Sequence, residues 1–132
     1  MKTTDVVYAV KKSRLGGKGL FANKQIKRGE FIIEYIGKRL TTKEADVSKS
    51  RYLFEIDEDC TLDGPTKINT AGYINHGCNP NCESDVLDGH VLISAIKDIK
   101  KGDEFTFDYG QEYFDEFIKP VGCKCNAKKH RK

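Results

Sequence analysis

Two short segments of this 132-residue chain concentrate side chains that can do chemistry. The first runs from Asn75 to Cys82 and reads Asn-His-Gly-Cys-Asn-Pro-Asn-Cys. Adjacent asparagine and histidine residues can present an amide and an imidazole, or their backbone groups, to a purine edge. The alternative is a polar turn capped by Asn and Pro, in which His76 is simply satisfied inside the fold. The residues alone leave both interpretations open.

The second segment, residues 107–110, reads Phe-Asp-Tyr-Gly and ends an apolar run with a phenol at its tip. A tyrosine in that position is more often a core residue than a catalytic one. Tyr35, Tyr73 and Phe107 could be ordinary core residues as well. The functional alternative is an aromatic-lined channel around Tyr109, which would suit an alkylammonium group or a lysine side chain.

A third constellation lies near the C-terminal end, where Cys123, Cys125 and His130 form a Cys-x-Cys-x-x-x-x-His pattern. Three ligands this close together can wrap one zinc ion, and Cys78 is the obvious fourth donor. A Cys-Cys-Cys-His set would close a tetrahedral structural site with Zn–S distances of about 2.3 Å. The alternative is a basic, metal-free tail whose thiols are incidental.

The chain has five cysteines, an odd number, and Cys123 and Cys125 stand too close for an ordinary disulfide pair. Metal-bound or buried thiols in a reducing, intracellular compartment explain this pattern better than a secreted disulfide scaffold does. We expect Cys60 and Cys82 to be small buried hydrophobes, which is the usual fate of a free cysteine.

Composition bounds the class of protein. The length predicts one compact domain, and the mild net charge of +3 argues against a protein that coats nucleic acid, so we expect no direct nucleic-acid site. No apolar run approaches the roughly 20 residues of a membrane helix, and no signal peptide is expected at the start. Acidic residues concentrate between Asp103 and Glu116, and basic residues follow from Lys119 onward. These are two solvated surfaces or, alternatively, an acidic rim that attracts a basic peptide.

The elements that must position these residues are predicted to be short strands. Strand-like runs cover residues 6–10, 31–36, 52–56 and 104–107, and an Asp-Gly pair predicts a hairpin over 86–93. A glycine loop that runs into a short apolar segment is predicted over 15–22, and its Gly-Gly-Lys-Gly run (16–19) lacks nucleotide-loop spacing and favours a plain turn. A short helix should begin at Thr41, with Glu44 completing its cap. A long irregular segment, Thr66 to Asn81, is typical of functional loops.

Taken in order, four strings resemble the SET-domain protein lysine methyltransferases over nearly the whole chain. They are Gly-Lys-Gly-Leu-Phe-Ala (17–22), Gly-Glu-Phe-Ile-Ile-Glu-Tyr-Ile-Gly (29–37), the Asn75 to Cys82 run, and Phe-Asp-Tyr-Gly (107–110). The resemblance implies a mainly β fold of the β-clip type. Small curved sheets with few short helices would surround a C-terminal pseudoknot that threads through the Asn75–Asn81 segment. It also divides the chain into a SET domain (1–117) and a zinc-binding tail (118–132) like the post-SET segment of trithorax-type enzymes, with His130 where that family has a third cysteine.

The same resemblance implies S-adenosylmethionine as the cosubstrate, in a site unrelated to the Rossmann fold. Its methionine end would be held by Lys18, Gly19 and Leu20, and Tyr52 would line the same site. Asn75 and His76 would also bind the cofactor, with His76 contacting the adenine through its backbone.

The resemblance also assigns catalytic residues. Tyr109 would be the catalytic tyrosine, and Tyr35 and Tyr73 would flank the lysine channel. Phe107 occupies the family's Phe/Tyr position, where phenylalanine favours di- and trimethylation. The implied substrate is a lysine of a histone tail or a similarly basic chromosomal protein, which suggests a nuclear location.

Two other functions compete with this prediction. The chain could be a SET-like module that binds a peptide or partner without turnover, as Gly72-Tyr73 in place of the usual Arg-Phe would allow. It could also be a small zinc-stabilised structural protein, which would explain the tail but not the Asn75-His76 pair.

Overall fold

A computed structural model of the protein describes residues 7–13, 17–48, 53–65 and 68–109. Four of the predicted site residues lie outside these ranges: Tyr52, Cys123, Cys125 and His130. The predicted boundary between residues 117 and 118 lies outside them as well.

The described residues fold mainly into short strands, as the sequence predicts. The strands are β1 (Tyr8–Lys12), β2 (Lys18–Ala22), β3 (Phe31–Tyr35), β4 (Lys38–Leu40), β5 (Leu53–Asp57), β6 (Cys60–Asp63), β7 (Asn75–His76), β8 (Cys82–Leu87), β9 (His90–Ala95) and β10 (Thr106–Phe107). Helical structure in these ranges consists of α1 (Thr42–Val47) and a 3-10 turn at Thr70–Tyr73. No helix of the described ranges is long and apolar enough to cross a membrane.

The strands form four small sheets. β1 pairs with β2, β9 lies between β3 and β8, and β6 lies between β4 and β5, all antiparallel. β7 and β10 pair in parallel, with Asn75 opposite Thr106 and His76 opposite Phe107. Parallel pairing of strands so far apart in sequence brings the two chemistry-bearing segments side by side, which is the contact that the predicted pseudoknot needs.

Two local predictions are confirmed by hydrogen bonds and backbone angles. Asp88 and Gly89 join β8 to β9 with φ values of 52° and 78°, which is the positive-φ geometry that an Asp-Gly hairpin turn supplies. Thr41 caps α1: its hydroxyl accepts the Glu44 N–H at 3.2 Å, and Glu44 Oε1 accepts the Thr41 N–H at 2.9 Å. These bonds, the one to the backbone first, hold the pKa of Glu44 below its ordinary value.

Two predicted segments near the site differ from the structure. The segment predicted as a glycine loop forms β2 from Lys18 onward, because its residues complete the antiparallel ladder with β1. The strand predicted over 104–107 is shortened to β10. The Asn81 side chain replaces a partner strand there, since its amide donates to the Glu104 carbonyl and accepts the Thr106 N–H, both at 2.9 Å.

One continuous core lies between the sheets and holds the site segments. Its largest fully buried members include Phe105, Leu20, Ile26, Ile74 and Ile99. Burial of each such side chain contributes roughly 1.5–3 kcal/mol before entropy is counted. Because Leu20, Ile74 and Phe105 flank predicted site residues, the core fixes the backbone from which those residues project.

The predicted fate of the two free cysteines is half correct. Cys82 is buried, and burial raises the pKa of its thiol to about 12, so it remains a neutral small hydrophobe. The prediction for Cys60 is wrong: it is half-exposed, and its sulfur lies 3.5 Å from Arg39 Nη1. Cys60 is the first residue of β6 and directly follows the exposed turn from β5.

Candidate active site

A network of hydrogen bonds, the polar clamp, is built by Ser13, Lys18, Asn75 and Glu104. Asn75 Nδ2 donates to the Lys18 carbonyl at 3.2 Å and to Glu104 Oε2 at 2.7 Å. The Ser13 hydroxyl lies 2.8 and 2.9 Å from the two Glu104 oxygens. Both partners of Nδ2 can only accept, so the orientation of the Asn75 amide is determined, and its Oδ1 is an acceptor directed away from them.

Gly19 is required where β2 passes the clamp. A Cβ at this position would overlap Glu104 Oε2 and would lie 3.1 Å from Asn75 Nδ2. Gly19 and the next residue, Leu20, are both buried, and the Leu20 carbonyl accepts the Phe105 N–H at 2.8 Å. The glycine therefore permits the close approach of β2 to the residues that precede β10.

His76 connects the second half of the site. Its Nδ1 accepts the Tyr109 backbone N–H at 3.1 Å and lies 3.8 Å from Asp108 Oδ1. A backbone N–H can only donate, so the neutral ring carries its proton on Nε2, which lies 3.3 Å from Cys78 Sγ. The buried imidazole thus fixes the backbone position of Tyr109 against β7.

Four aromatic rings line a pocket of about 240 Å³, the aromatic pocket. The rings follow one another from Tyr35 to Phe54, Phe107 and Tyr109, with successive centroid distances of 5.2, 6.5 and 5.0 Å. Polar groups in the lining come from Glu55, Ser84 and Asp108, and the remaining lining residues are Leu53, Ala71, Gly72 and Ile74. Pockets for drug-sized ligands have volumes of roughly 300–1,000 Å³, so this one suits a single long side chain.

The phenol of Tyr109 is held at the pocket wall. Its hydroxyl donates a hydrogen bond to the Ile74 carbonyl. The phenol proton is therefore used inside the protein, and the phenol oxygen is an acceptor at the pocket wall. An aromatic enclosure with a fixed oxygen acceptor can hold the ammonium or amine end of an alkyl chain.

The structure brings most of the predicted site residues in its described ranges into these two regions. Lys18, Gly19 and Asn75 meet in the polar clamp, while Tyr35, Phe107 and Tyr109 meet in the aromatic pocket. His76 connects the two regions through Tyr109. Tyr73 is half-buried against the core and is not a pocket residue, although its neighbour Gly72 is.

The predicted zinc site falls mostly outside the described residues. Cys78 is its one predicted ligand inside them, and its sulfur is half-exposed beside His76. Within the described ranges no three His, Cys, Asp or Glu side chains are grouped to hold a metal ion. The half-exposed thiol suits a zinc ligand, and the other three members of the donor set lie in the tail.

Sequence reasoning missed two residues of the site. Phe54 joins Tyr35 to Phe107 in the pocket wall, but an aromatic residue in a predicted strand has the same pattern as core. Glu104 is the centre of the polar clamp, yet its partners Ser13 and Asn75 stand 91 and 29 residues away in sequence. The available signal was a carboxylate at the start of an otherwise mostly apolar predicted strand.

Comparison with known proteins gives one consistent result. The sequence profile of the SET domain matches residues 17–110. The chain is 38% identical to histone-lysine N-methyltransferase trithorax of Drosophila virilis, over 92% of this chain and 3% of the relative. It is 37% identical to the H3 lysine-4 specific histone-lysine N-methyltransferase of Schizosaccharomyces pombe, over 87% of this chain and 14% of the relative. The chain therefore spans a small part of the relatives it matches.

A solved structure agrees with the sequence relatives. A chain from a humanized mutant of the Chaetomium thermophilum Polycomb Repressive Complex 2, bound to an inhibitor, superimposes with a TM-score of 0.70 at 33% identity. The match covers 80% of this chain and 15% of that one. The predicted mainly β architecture is thereby confirmed by both the strand content and the structural neighbour.

Proposed function

This chain belongs to the SET-domain family, and we propose that it is a protein-lysine N-methyltransferase that uses S-adenosylmethionine as its methyl donor. The observation that carries the proposal is the aromatic pocket, in which the Tyr109 phenol is fixed by the Ile74 carbonyl. A rigid aromatic slot with an oxygen acceptor suits a lysine side chain that must be aligned for attack. The names of the two sequence relatives support the same activity.

The donor set of the polar clamp fits the amino-acid end of S-adenosylmethionine. Asn75 Oδ1 and the Glu104 carboxylate are acceptors that suit an ammonium group. When bound, the cosubstrate would supply a methyl group already activated by the positive sulfur to which it is attached. The residues that we propose hold it are Lys18, Gly19, Leu20, Tyr52, Asn75 and His76.

The aromatic pocket would prepare the nucleophile. The reacting amine must be neutral, and deprotonating a lysine of pKa about 10.4 at pH 7 costs roughly 4–5 kcal/mol. Apolar surroundings disfavour the ammonium form, so enclosure by Tyr35, Phe54 and Phe107 would lower this cost. The Tyr109 hydroxyl donates its hydrogen bond to the Ile74 carbonyl. Its oxygen would accept a hydrogen bond from the amine and so direct the amine lone pair.

Phe107 would set the number of methyl groups transferred. It is buried in the pocket wall and offers no hydroxyl to hold a water molecule or to restrain the amine. A partly methylated lysine can then rotate and react again, which favours di- and trimethylation. Tyr73, which packs beside the pocket, is proposed to support the channel from outside.

The proposed substrate is a lysine of a histone tail or of a similarly basic chromosomal protein, and the proposed location is nuclear. Acidic side chains near the pocket, Glu55 and Asp108, are suited to a basic peptide. We also propose that residues 1–117 form the SET domain and that residues 118–132 form a post-SET tail. There Cys78, Cys123, Cys125 and His130 would hold a structural zinc ion, on which no step of the reaction depends.

The proposal is tested by methyl transfer from labelled S-adenosylmethionine to mixed core histones, with product masses read by mass spectrometry. We expect transfer by the wild-type chain and a fall of about 10²–10³-fold in kcat for Tyr109→Phe, comparable to removing a fixed polar group at a transition state. Cofactor binding, measured by calorimetry, should be unchanged in this variant because the phenol lies outside the polar clamp.

Tyr8→Phe is the matched control, since it removes the same hydroxyl from β1, away from the pocket. Equal activity of Tyr109→Phe and the control would contradict the assigned role of Tyr109. Absence of transfer by the wild-type chain, with a histone peptide still bound, would favour a binding module over an enzyme.

A further inference from the structure

Two loops of the chain run side by side and form a surface on the N-terminal side of β3. Residues 22–30 and 95–103 pair in antiparallel fashion, with reciprocal hydrogen bonds of 2.8 Å between Ile26 and Ile99. Both isoleucines are fully buried. In an extended ladder the neighbours of an inward residue face outward, so Lys27 and Lys100 point to solvent.

This surface, the basic ladder, carries six exposed cationic side chains. They are Lys24, Lys27, Arg28, Lys97, Lys100 and Lys101. Within the part of the chain that the structure describes, none of the six has a carboxylate oxygen within ion-pairing distance. A cluster of exposed cations raises the local concentration of polyanions through its summed field.

The carboxylates of the same loops are used by the backbone. Glu30 Oε1 accepts the Lys27 N–H at 3.3 Å, Asp98 Oδ1 accepts the Arg28 N–H at 2.9 Å, and Asp103 Oδ2 accepts the Lys100 N–H at 3.2 Å. Each of the three acids thus braces a turn by binding the backbone of a basic residue. The arrangement stabilises the loops while the cationic side chains stay exposed, and the six cations and three carboxylates leave this surface with a formal net charge of +3.

The strands at the other end of β3 carry an excess of acidic side chains, and we call this region the acidic end. Residues 53–65, which supply Phe54 to the pocket, contain five acidic residues and no lysine or arginine: Glu55, Asp57, Glu58, Asp59 and Asp63. Asp85 and Asp88 follow along the β8–β9 hairpin toward the same end. The exposed Lys38 and Arg39 of β4, which pairs with β6, offset part of this acidic charge. The two ends are separated along β3, because the ladder precedes Phe31 while the pocket begins at Tyr35, about 13 Å further at the usual rise per residue.

We propose that the basic ladder binds the phosphate backbone of double-stranded DNA while the acidic end receives the basic peptide. A substrate that presents a basic tail beside a polyanion matches both ends of this molecule at once. The choice of DNA among polyanions rests on the proposed chromosomal substrate. The small net charge of +3 hides this surface, because the cations of the ladder are offset by acidic residues elsewhere in the chain.

Backbone recognition by lysine and arginine needs no base contacts, so it should depend on salt and not on sequence. Each phosphate contact steepens the dependence of log K on log salt by about 0.9. Six contacts would lower DNA affinity by about 10³-fold between 50 and 200 mM salt, and three contacts by about 40-fold.

The experiment measures binding of the full chain to a 20-base-pair duplex by fluorescence anisotropy across that salt range. The test variant combines Lys27→Gln, Arg28→Gln and Lys100→Gln, and the control combines Lys12→Gln, Lys38→Gln and Lys43→Gln. Both variants lose the same charge from exposed positions, but only the first loses it from the basic ladder. We expect the salt slope to fall by about 2.7 in the test variant and to stay near the wild-type value in the control.

Three results would overturn the proposal: no binding of the wild-type chain to duplex at 50 mM salt, equal losses in both variants, or ladder-dependent binding to anionic phospholipid vesicles but not to DNA. The binding assay involves no methyl transfer, so its outcome is independent of the proposed enzyme activity. If the chain is also active, the test variant should methylate a free histone peptide at the wild-type rate and lose activity only on DNA-bound histones.

Discussion

Three consecutive residues contribute to both the polar clamp and the aromatic pocket, but different interactions hold the two regions together. The Ile74 carbonyl holds the Tyr109 phenol, the Asn75 amide enters the clamp, and the His76 ring holds the Tyr109 backbone. In the clamp, directional hydrogen bonds leave each atom few alternative partners. In the pocket, apolar rings are packed by shape, so several residues of similar volume can serve.

This difference teaches where the molecule tolerates change. A clamp atom that loses its partner is left as a poorly satisfied polar group, which costs about 1–3 kcal/mol or more for charged groups. A pocket ring exchanged for one of similar size loses only part of its contacts. We therefore expect clamp substitutions to weaken cofactor binding sharply and pocket substitutions to change rate and product.

The largest effect on binding should come from Gly19→Ala. The added methyl group would collide with Glu104 Oε2, which cannot swing away without giving up Ser13 and Asn75. Loss of one or two bonds to a charged group corresponds to about a 10- to 100-fold weaker cofactor affinity. Calorimetric titration with S-adenosylmethionine measures this change in affinity.

A second substitution sharpens that result. If the collision is the cause, Gly19→Ala should cost much less in a chain that already carries Glu104→Ala, since the obstructing carboxylate is gone. Additive losses in the double variant would show that Gly19 acts by some means other than its closeness to Glu104.

The next effect in size concerns the charge at the centre of the clamp. Glu104→Gln keeps the length of the side chain but replaces one acceptor oxygen with an NH2 donor. The two ends of the side chain can then no longer both accept hydrogen bonds from Asn75 and Ser13. We expect a cofactor affinity about 10-fold weaker, with kcat at saturating cofactor nearly unchanged. A fall in kcat with unchanged affinity would separate Glu104 from cofactor binding.

How far the sequence could predict these regions depends on the range of the contacts. The Thr41–Glu44 cap and the Asp88-Gly89 turn were predictable because residues a few positions apart determine them. The Glu104 cluster was not, since Ser13 and Asn75 reach it only after the chain has folded. Motif strings indicated which segments meet. They did not indicate which of Gly72 and Tyr73 would line the pocket, because the 3-10 turn determines which residue faces it.

In the pocket, Phe107→Tyr should change the product and leave the total rate within a few-fold. The new hydroxyl would be added to the pocket wall beside Tyr109, where it could hold a water molecule or the amine. We expect mass spectra to shift from di- and trimethyl-lysine toward monomethyl-lysine. The matched control is Phe54→Tyr, which adds the same hydroxyl to the neighbouring ring. Trimethylation fully retained in Phe107→Tyr would contradict the proposal that Phe107 sets the number of methyl groups.

The smallest effect should follow from Phe54→Leu, which tests whether the pocket uses the rings for their electrons or only for their shape. Leucine keeps most of the apolar contact with Tyr35 and Phe107 but removes the aromatic face. A cation–π contact is worth about 0.5–1 kcal/mol where solvent has access, so the KM for a histone peptide should rise about 2- to 5-fold. Phe31→Leu, at an exposed position beyond the pocket, is the control. If KM stays constant and only the unfolding free energy falls, Phe54 is a wall of the pocket and makes no contribution to recognising the amine.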